Sequence, residues 1–131
     1  MTFHSIEFEL LSGLTVIVHL VFVMFVIAGG LLVIHWPWLM CLHITAVIWA
    51  AAVELFGWIC PLTPLENWFR QGSGQSPYET DFVERWVVPL LYPHGLTREV
   101  QIVLGLFVII VNLSVYAWLY RRIQGQKIMQ P

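Results

Sequence analysis

An all-α membrane protein is the fold class this sequence predicts, and three observations predict it. The 131 residues are 59% hydrophobic and only 11% charged, whereas charged residues make up about a quarter of an ordinary soluble domain. No Asp, Glu, Lys or Arg occurs from Leu10 to Val53 or from Val100 to Tyr120. Three apolar runs, near 10–34, 38–60 and 100–120, each reach the roughly 20 residues that cross a hydrocarbon core of about 30 Å. Finally, the polar residues in each run recur at helical spacing on one face. The expected architecture is therefore one integral membrane domain over 1–131. It has three transmembrane helices plus short interfacial or re-entrant helices in the 61–99 loop, and a four-helix bundle is the alternative.

The first run ends in Ala28-Gly29-Gly30, small residues that invite comparison with a secretory signal. Its flank instead carries Glu7 and Glu9 without Lys or Arg, and the run is longer than a signal's apolar region, so it reads as a permanent span. His35-Trp36-Pro37-Trp38 separates it from the second run. A proline between indoles suits a tight turn at the membrane–water interface, which makes the first two spans an antiparallel hairpin.

The second run ends in Cys60-Pro61-Leu62-Thr63-Pro64. Thr63 to Glu66 has the form of a capping box with proline at the first helical position, and Glu66 is spaced for an i,i+4 pair with Arg70. A short helix over 64–71 follows, then the flexible turn Gly72 to Pro77. Residues 80–93 carry Phe82, Val83, Trp86, Val87, Leu90 and Leu91 at helical spacing. That run is too short to span, so it reads as interfacial or re-entrant. Thr97 is the expected N-cap of the third span, which closes at Tyr120-Arg121-Arg122.

Arg121, Arg122 and Lys127 favour a cytoplasmic C-terminus, which places the N-terminus and the 61–99 loop on the periplasmic side. Arg70, Arg85 and Arg98 lie in that loop too, accompanied by five acidic residues.

Helical spacing sorts the intramembrane polar groups onto faces. Ser12, Thr15, His19, Val26 and Gly30 form one stripe; His43, Val47, Ala50 and Glu54 a second; Gln101, Gly105, Val108, Asn112 and Tyr116 a third. His19 lies 18 residues before Pro37 and Glu54 lies 17 after it, so the hairpin brings them level as an intramembrane polar pair. A lone carboxylate in hydrocarbon costs about 2.5–3.5 kcal/mol on insertion scales, which a partner relieves. The same count places His43 opposite Gly30, with Asn112 or Tyr116 approaching from the third span as hydrogen-bond partners. These residues are also the candidate cofactor site.

Haem b, chlorin or quinone are the cofactors that inward-facing histidines could serve. However, His19 and His43 differ in depth by about 12 residues, roughly 18 Å at ~1.5 Å per residue, so one hairpin does not ligate an iron with both. No cofactor is predicted. Cys41 and Cys60 stand 19 positions apart on one expected helix, roughly 28 Å, which rules out a mutual disulfide. No metal-ligand spacing and no catalytic array of Ser, His and Asp appears. Trp36, Trp38, Trp58, Trp68, Trp86 and Trp118 map to membrane boundaries, as an aromatic belt does.

The segments GGLLVIHWPWL, LHITAVIWAAAVELFGWICPLTPLENWFR and LLYPHGLTREVQIVLG resemble the small bacterial membrane proteins of domain-of-unknown-function family 2784. The resemblance covers almost the whole chain and is carried most specifically by Trp58 to Glu66. It implies a compact bundle of three or four helices in a bacterial inner membrane, and it brings no activity or catalytic residue. It also implies Arg at the position of His35, whose absence leaves the orientation resting on the C-terminal basic residues.

The expected role is a non-catalytic accessory subunit of a larger inner-membrane complex, with lipids and other membrane subunits or further copies as partners. A net charge of −2 argues against nucleic acid. Two rival readings are a haem- or quinone-binding electron-transfer module, and a small membrane enzyme or proton-coupled carrier using His19 and Glu54.

Overall fold

The computed structural model describes residues 2–78, 85, 86, 89 and 97–130, and these form four helices. They are α1 (Thr2–Leu32), α2 (Leu39–Phe56), α3 (Leu62–Gly72) and α4 (Arg98–Ile128). Three of them, α1, α2 and α4, are long and apolar enough to cross a membrane, and α3 is short and amphipathic. The 80–93 segment expected to be interfacial falls outside the described residues apart from Arg85, Trp86 and Pro89.

The three long helices pack side by side, α2 antiparallel to both α1 and α4. The N-terminus of α1, the C-terminus of α2, all of α3 and the start of α4 gather at one end. The 33–38 turn and the end of α4 occupy the other. α1 and α4 each run 31 residues, about 46 Å at 1.5 Å per residue, so both overshoot a 30 Å core.

The helix boundaries differ from the sequence reading in instructive ways. α1 begins at Thr2 rather than near residue 10, because its first turns have a packing partner. Phe8 meets Trp68 edge-on at 5.9 Å between ring centroids and Phe69 at 6.3 Å, which seats α3 against the overshooting end of α1. α2 stops at Phe56 instead of reaching Cys60. Gly57 takes the left-handed conformation (φ 67°), and its N–H and that of Trp58 both return to the Val53 carbonyl, a helix stop that glycine adopts without steric cost. α4 continues past Tyr120 to Ile128, since Arg121 to Lys127 contains helix formers and no proline; Arg122 lies over Trp118 one turn back.

Thr63 is not an N-cap. Pro61 already has helical φ and ψ (−57°, −23°) and occupies the cap position without a side-chain bond, and Thr63 N–H donates to the Cys60 carbonyl at 2.9 Å. The chain therefore enters α3 two residues early, at Leu62, with Thr63 buried in its first turn. Thr97 does cap α4: in extended conformation, its hydroxyl accepts from Val100 N–H at 3.3 Å.

Most of the surface is apolar, as a lipid-facing surface must be. What is buried is unusually polar: Ser12, Thr15, His19, His43, Glu54, Thr63, Glu66 and Asn112 stand beside Val26, Val33, Ala51, Val53, Cys60 and Tyr78. The fold is turned inside out relative to a soluble bundle: polar side chains are buried between the helices, where His43, Arg98 and Asn112 reach across to a neighbouring helix.

Candidate functional site

Three clusters of buried polar side chains lie along the bundle, one at each level. Deepest toward the 33–38 turn is His43, completely buried on α2. Its Nδ1 lies 2.7 Å from the Tyr116 hydroxyl and its Nε2 lies 3.4 Å from the Val26 carbonyl. A carbonyl only accepts, so the ring proton belongs on Nε2, and the Tyr116 O–H donates to Nδ1. Asn112 donates to the same Val26 carbonyl at 3.0 Å and to the Val108 carbonyl at 2.9 Å. One backbone oxygen of α1 thus gathers side chains from both other spans.

Two glycines make room for this node. A Cβ on Gly29 would stand 2.6 Å from His43 Cδ2, and one on Gly30 would stand 2.9 Å from Val115 Cγ1 and 3.5 Å from His43 Cε1. The sequence singled out Gly30; the closer approach to the ring is made by Gly29. Phe25 closes the remaining side, edge-on to the imidazole at 5.1 Å.

The second level is a cavity of about 170 Å³ between α1, α2 and α4. His19, Phe22 and Val26 line it from α1, and Trp49, Ala50, Val53 and Glu54 from α2. Leu104, Phe107 and Val108 line it from α4, and Cys60 from the exit turn. The hairpin register explains why His19 and Glu54 meet here: Glu54 is eleven positions along α2 from His43, and His19 eleven positions back along α1 from Gly30. Both are almost fully buried, at 3% and 7% exposure. Trp49, the one indole the aromatic belt leaves out, sits on the cavity's rim.

Arg98 holds this level in place from above. Its guanidinium donates to the Glu54 carbonyl at 3.2 Å, to the Leu55 carbonyl, and to Gln101 Oε1 at 3.3 Å. A cation at the last carbonyls of α2 complements the negative end of the helix dipole. It also approaches Gly57 closely enough that a Cβ there would lie 2.9 Å from Nη1.

The third level lies outside the spans, around Glu66. Its carboxylate is fully buried, accepts from the Tyr78 hydroxyl, and stands 3.9 Å from Arg70 Nη1. Asn67 clasps the Tyr78 backbone from both sides: Oδ1 accepts from Tyr78 N–H at 3.1 Å and Nδ2 donates to its carbonyl at 2.6 Å. The guanidiniums of Arg70 and Arg85 lie 5.7 and 5.4 Å from the Tyr78 ring centroid. Burial, reinforced by the hydrogen bond and charge of Glu66, pushes the Tyr78 phenol well above its ordinary range. This cluster pins the 73–78 turn onto α3.

The spacing of Glu66 and Arg70 announces their pair, but nothing in the periodicity points to Tyr78 or Asn67. Their meeting depends on how the turn folds back, and only the run of Gly, Ser and Pro signals that it does.

The geometry does not suit a haem or chlorin. Both His43 ring nitrogens are engaged, and a cavity of about 170 Å³ falls short of the roughly 300–1,000 Å³ of pockets that enclose larger ligands. It is close to the ~150 Å³ apolar cavity that takes up benzene, so a single ring such as a quinone or phenol head fits. Among the described residues, no group of three or more His, Cys, Asp or Glu is placed to hold a metal ion.

The sequence model of the family described as Protein of Unknown function (DUF2784) matches residues 9–117, and the chain belongs to that family. It is a small, multi-pass protein of the bacterial inner membrane. No curated protein and no solved structure matches it. The family match takes in all three levels of buried polar residues and ends before the basic turns of α4.

Proposed function

We propose that this protein is a non-catalytic membrane module that binds a small lipid-soluble molecule between α1, α2 and α4, with the molecule's polar head at His19 and Glu54. The observation that carries the reading is the cavity itself. It is almost wholly apolar, yet bounded by Glu54, the one carboxylate within the apolar runs 10–34, 38–60 and 100–120.

Its polarity is graded with depth. Glu54 lies two positions from the end of α2, while Trp49 lies five positions further in, about 7.5 Å at 1.5 Å per residue. The polar end therefore sits toward the interface and the apolar end toward the bilayer centre, the orientation that a tailed molecule has in a leaflet. Three rim residues, Ile27, Trp49 and Phe107, are 36%, 40% and 49% exposed on the lipid-facing surface, which offers a tail a lateral way out. Buried polar groups beside an apolar cavity are the usual make-up of a small-molecule site.

Service within a larger inner-membrane assembly suits such a module. α4 supplies the surface for it, since only 11% of its most apolar stretch is buried.

The test is saturable binding of 4-butylphenol to protein in phosphatidylcholine nanodiscs, followed by tryptophan fluorescence. Wild type saturates, and Ala50→Phe, which fills the cavity, abolishes the saturable component. Equal, non-saturating partition into discs of both proteins contradicts the reading.

A further inference from the structure

We propose that the end of the bundle formed by the 33–38 turn and the last turns of α4 binds anionic phospholipid, gathering acidic headgroups round Arg121, Arg122 and Lys127. This surface is separate from the cavity, and neither binding role depends on the other.

The charges of the chain are sorted by end. Arg121, Arg122 and Lys127 are three of its six Lys and Arg residues, and its eight Asp and Glu residues all lie outside the stretches 10–53 and 100–131. Glu7, Glu9, Glu54, Glu66 and Glu99 belong to the α3 half of the bundle. Glu79, Asp81 and Glu84 stand in sequence between Tyr78 and Arg85, whose side chains meet beside α3. Both ion pairs found among the described residues, His4 with Glu7 and Glu66 with Arg70, are at that same end. The net charge of −2 therefore hides a basic end, where among the described residues no carboxylate balances three exposed cations.

Their depth suits headgroups. Arg121 follows Arg98 by 23 positions along one continuous helix, about 34 Å at 1.5 Å per residue. A helix that starts at one face of a 30 Å core thus carries Arg121 and Arg122 just past the other. Lys127 stands about 7.5 Å beyond Arg122, within a Debye length of about 8 Å. Trp36, Trp38, Trp118 and Tyr120 are exposed at this end, the aromatic company that headgroup-level side chains keep. The Arg122 guanidinium lies 5.5 Å from the Trp118 ring centroid, an attraction that holds it at that level.

Direction decides the partner. Measured from Arg121, Arg122 and Lys127 stand about 100° and about 240° round α4. A single protein face or one free phosphate meets one or two of these cations, whereas a layer of lipid headgroups surrounds the helix and meets all three. Each Lys or Arg held near an anionic leaflet strengthens the attraction about fivefold.

Spin-labelled phosphatidylglycerol and phosphatidylcholine test this, each added in trace amount to the protein in phosphatidylcholine vesicles. Electron spin resonance reads how strongly each enters the lipid shell round the protein. A fivefold gain felt by about a quarter of that shell averages to about twofold, so phosphatidylglycerol is expected to associate about twofold more strongly with wild type. The preference is expected to vanish in about 1 M NaCl, where the Debye length is about 3 Å, and in the triple variant Arg121→Gln, Arg122→Gln, Lys127→Gln. Should the triple variant not fold, the pair Arg121→Gln and Lys127→Gln, which leaves Arg122 on Trp118, is expected to lose more than half of the preference. Equal association of the two lipids with wild type overturns the proposal. A preference that survives these substitutions or high salt overturns it too, as does one abolished by inorganic phosphate at matched ionic strength.

Discussion

Gly29→Ala concentrates the packing argument into one methyl group. The added Cβ would lie 2.6 Å from His43 Cδ2, 2.8 Å from Phe25 Cδ2 and 3.0 Å from His43 Nε2, where ordinary contacts fall at about 3.5–4.0 Å. The imidazole would have to retreat by about 1 Å. It cannot do so and keep the 2.7 Å bond from Tyr116. Overpacking costs about 1–3 kcal/mol, and a lost buried hydrogen bond about 1–3 kcal/mol more. Against this stands the helix propensity gained by replacing glycine, at most about 1 kcal/mol. The net expectation is a destabilisation of about 1–5 kcal/mol.

Gly13→Ala is the matched control on the same helix. Nothing lies within 4 Å of its Cβ position, so it is expected to be neutral or stabilising by up to about 1 kcal/mol. Equilibrium unfolding of both variants in the same detergent micelle reads the difference. Equal stability of the two would refute the placement of His43 against α1.

Three further outcomes are expected. Tyr116→Phe removes the donor to His43 Nδ1 and costs about 1–3 kcal/mol in the same unfolding assay, because the nitrogen stays buried without its partner; an unchanged stability contradicts the hydrogen bond. The Tyr78 phenol is raised in the folded state by burial and by Glu66. Its contribution to stability is therefore complete below the unfolded tyrosine pKa of about 10 and is lost as pH rises toward the folded value, since the unfolded chain gives up the proton first. Wild type should lose stability above pH 10 more steeply than Tyr78→Phe, and parallel pH profiles would contradict the buried pairing with Glu66. For orientation, Gln130→Cys should react with a membrane-impermeant maleimide in inverted inner-membrane vesicles and not in intact spheroplasts; the converse would place the basic end of α4 outside.

The spans were legible because their signal is compositional and long: apolar runs of 20 residues and more leave little choice of state. The inward stripes were legible too. Helical spacing places His19 and Glu54 on faces that the structure turns into one cavity, and His43 within reach of Tyr116.

Boundaries were harder, because each depends on a contact elsewhere. The early start of α1 needs Phe8 to find α3, and the end of α2 at Gly57 is set by a left-handed backbone that the Cys60-Pro61 signal overshadowed. The capping-box pattern at Thr63 was real as a pattern, but Pro61 had begun the helix before it. Tyr78 escaped notice for a different reason. It is twelve positions from Glu66, across a turn without periodicity, so no local rule pairs them.

The cavity was also invisible in sequence. Its volume is the difference between three packed surfaces, and one residue such as Ala50 sets whether it exists.

Identifying the lipid-soluble material that co-purifies with the protein from its own membrane tests the binding claim most directly. Organic extracts of wild type and of Ala50→Phe, purified in parallel in mild detergent, would be compared by mass spectrometry. The account predicts a tailed, single-ring compound with a small polar head near one per protein in wild type and absent from the filled variant. The same phospholipids in equal amounts from both, with no such compound in either, would contradict it.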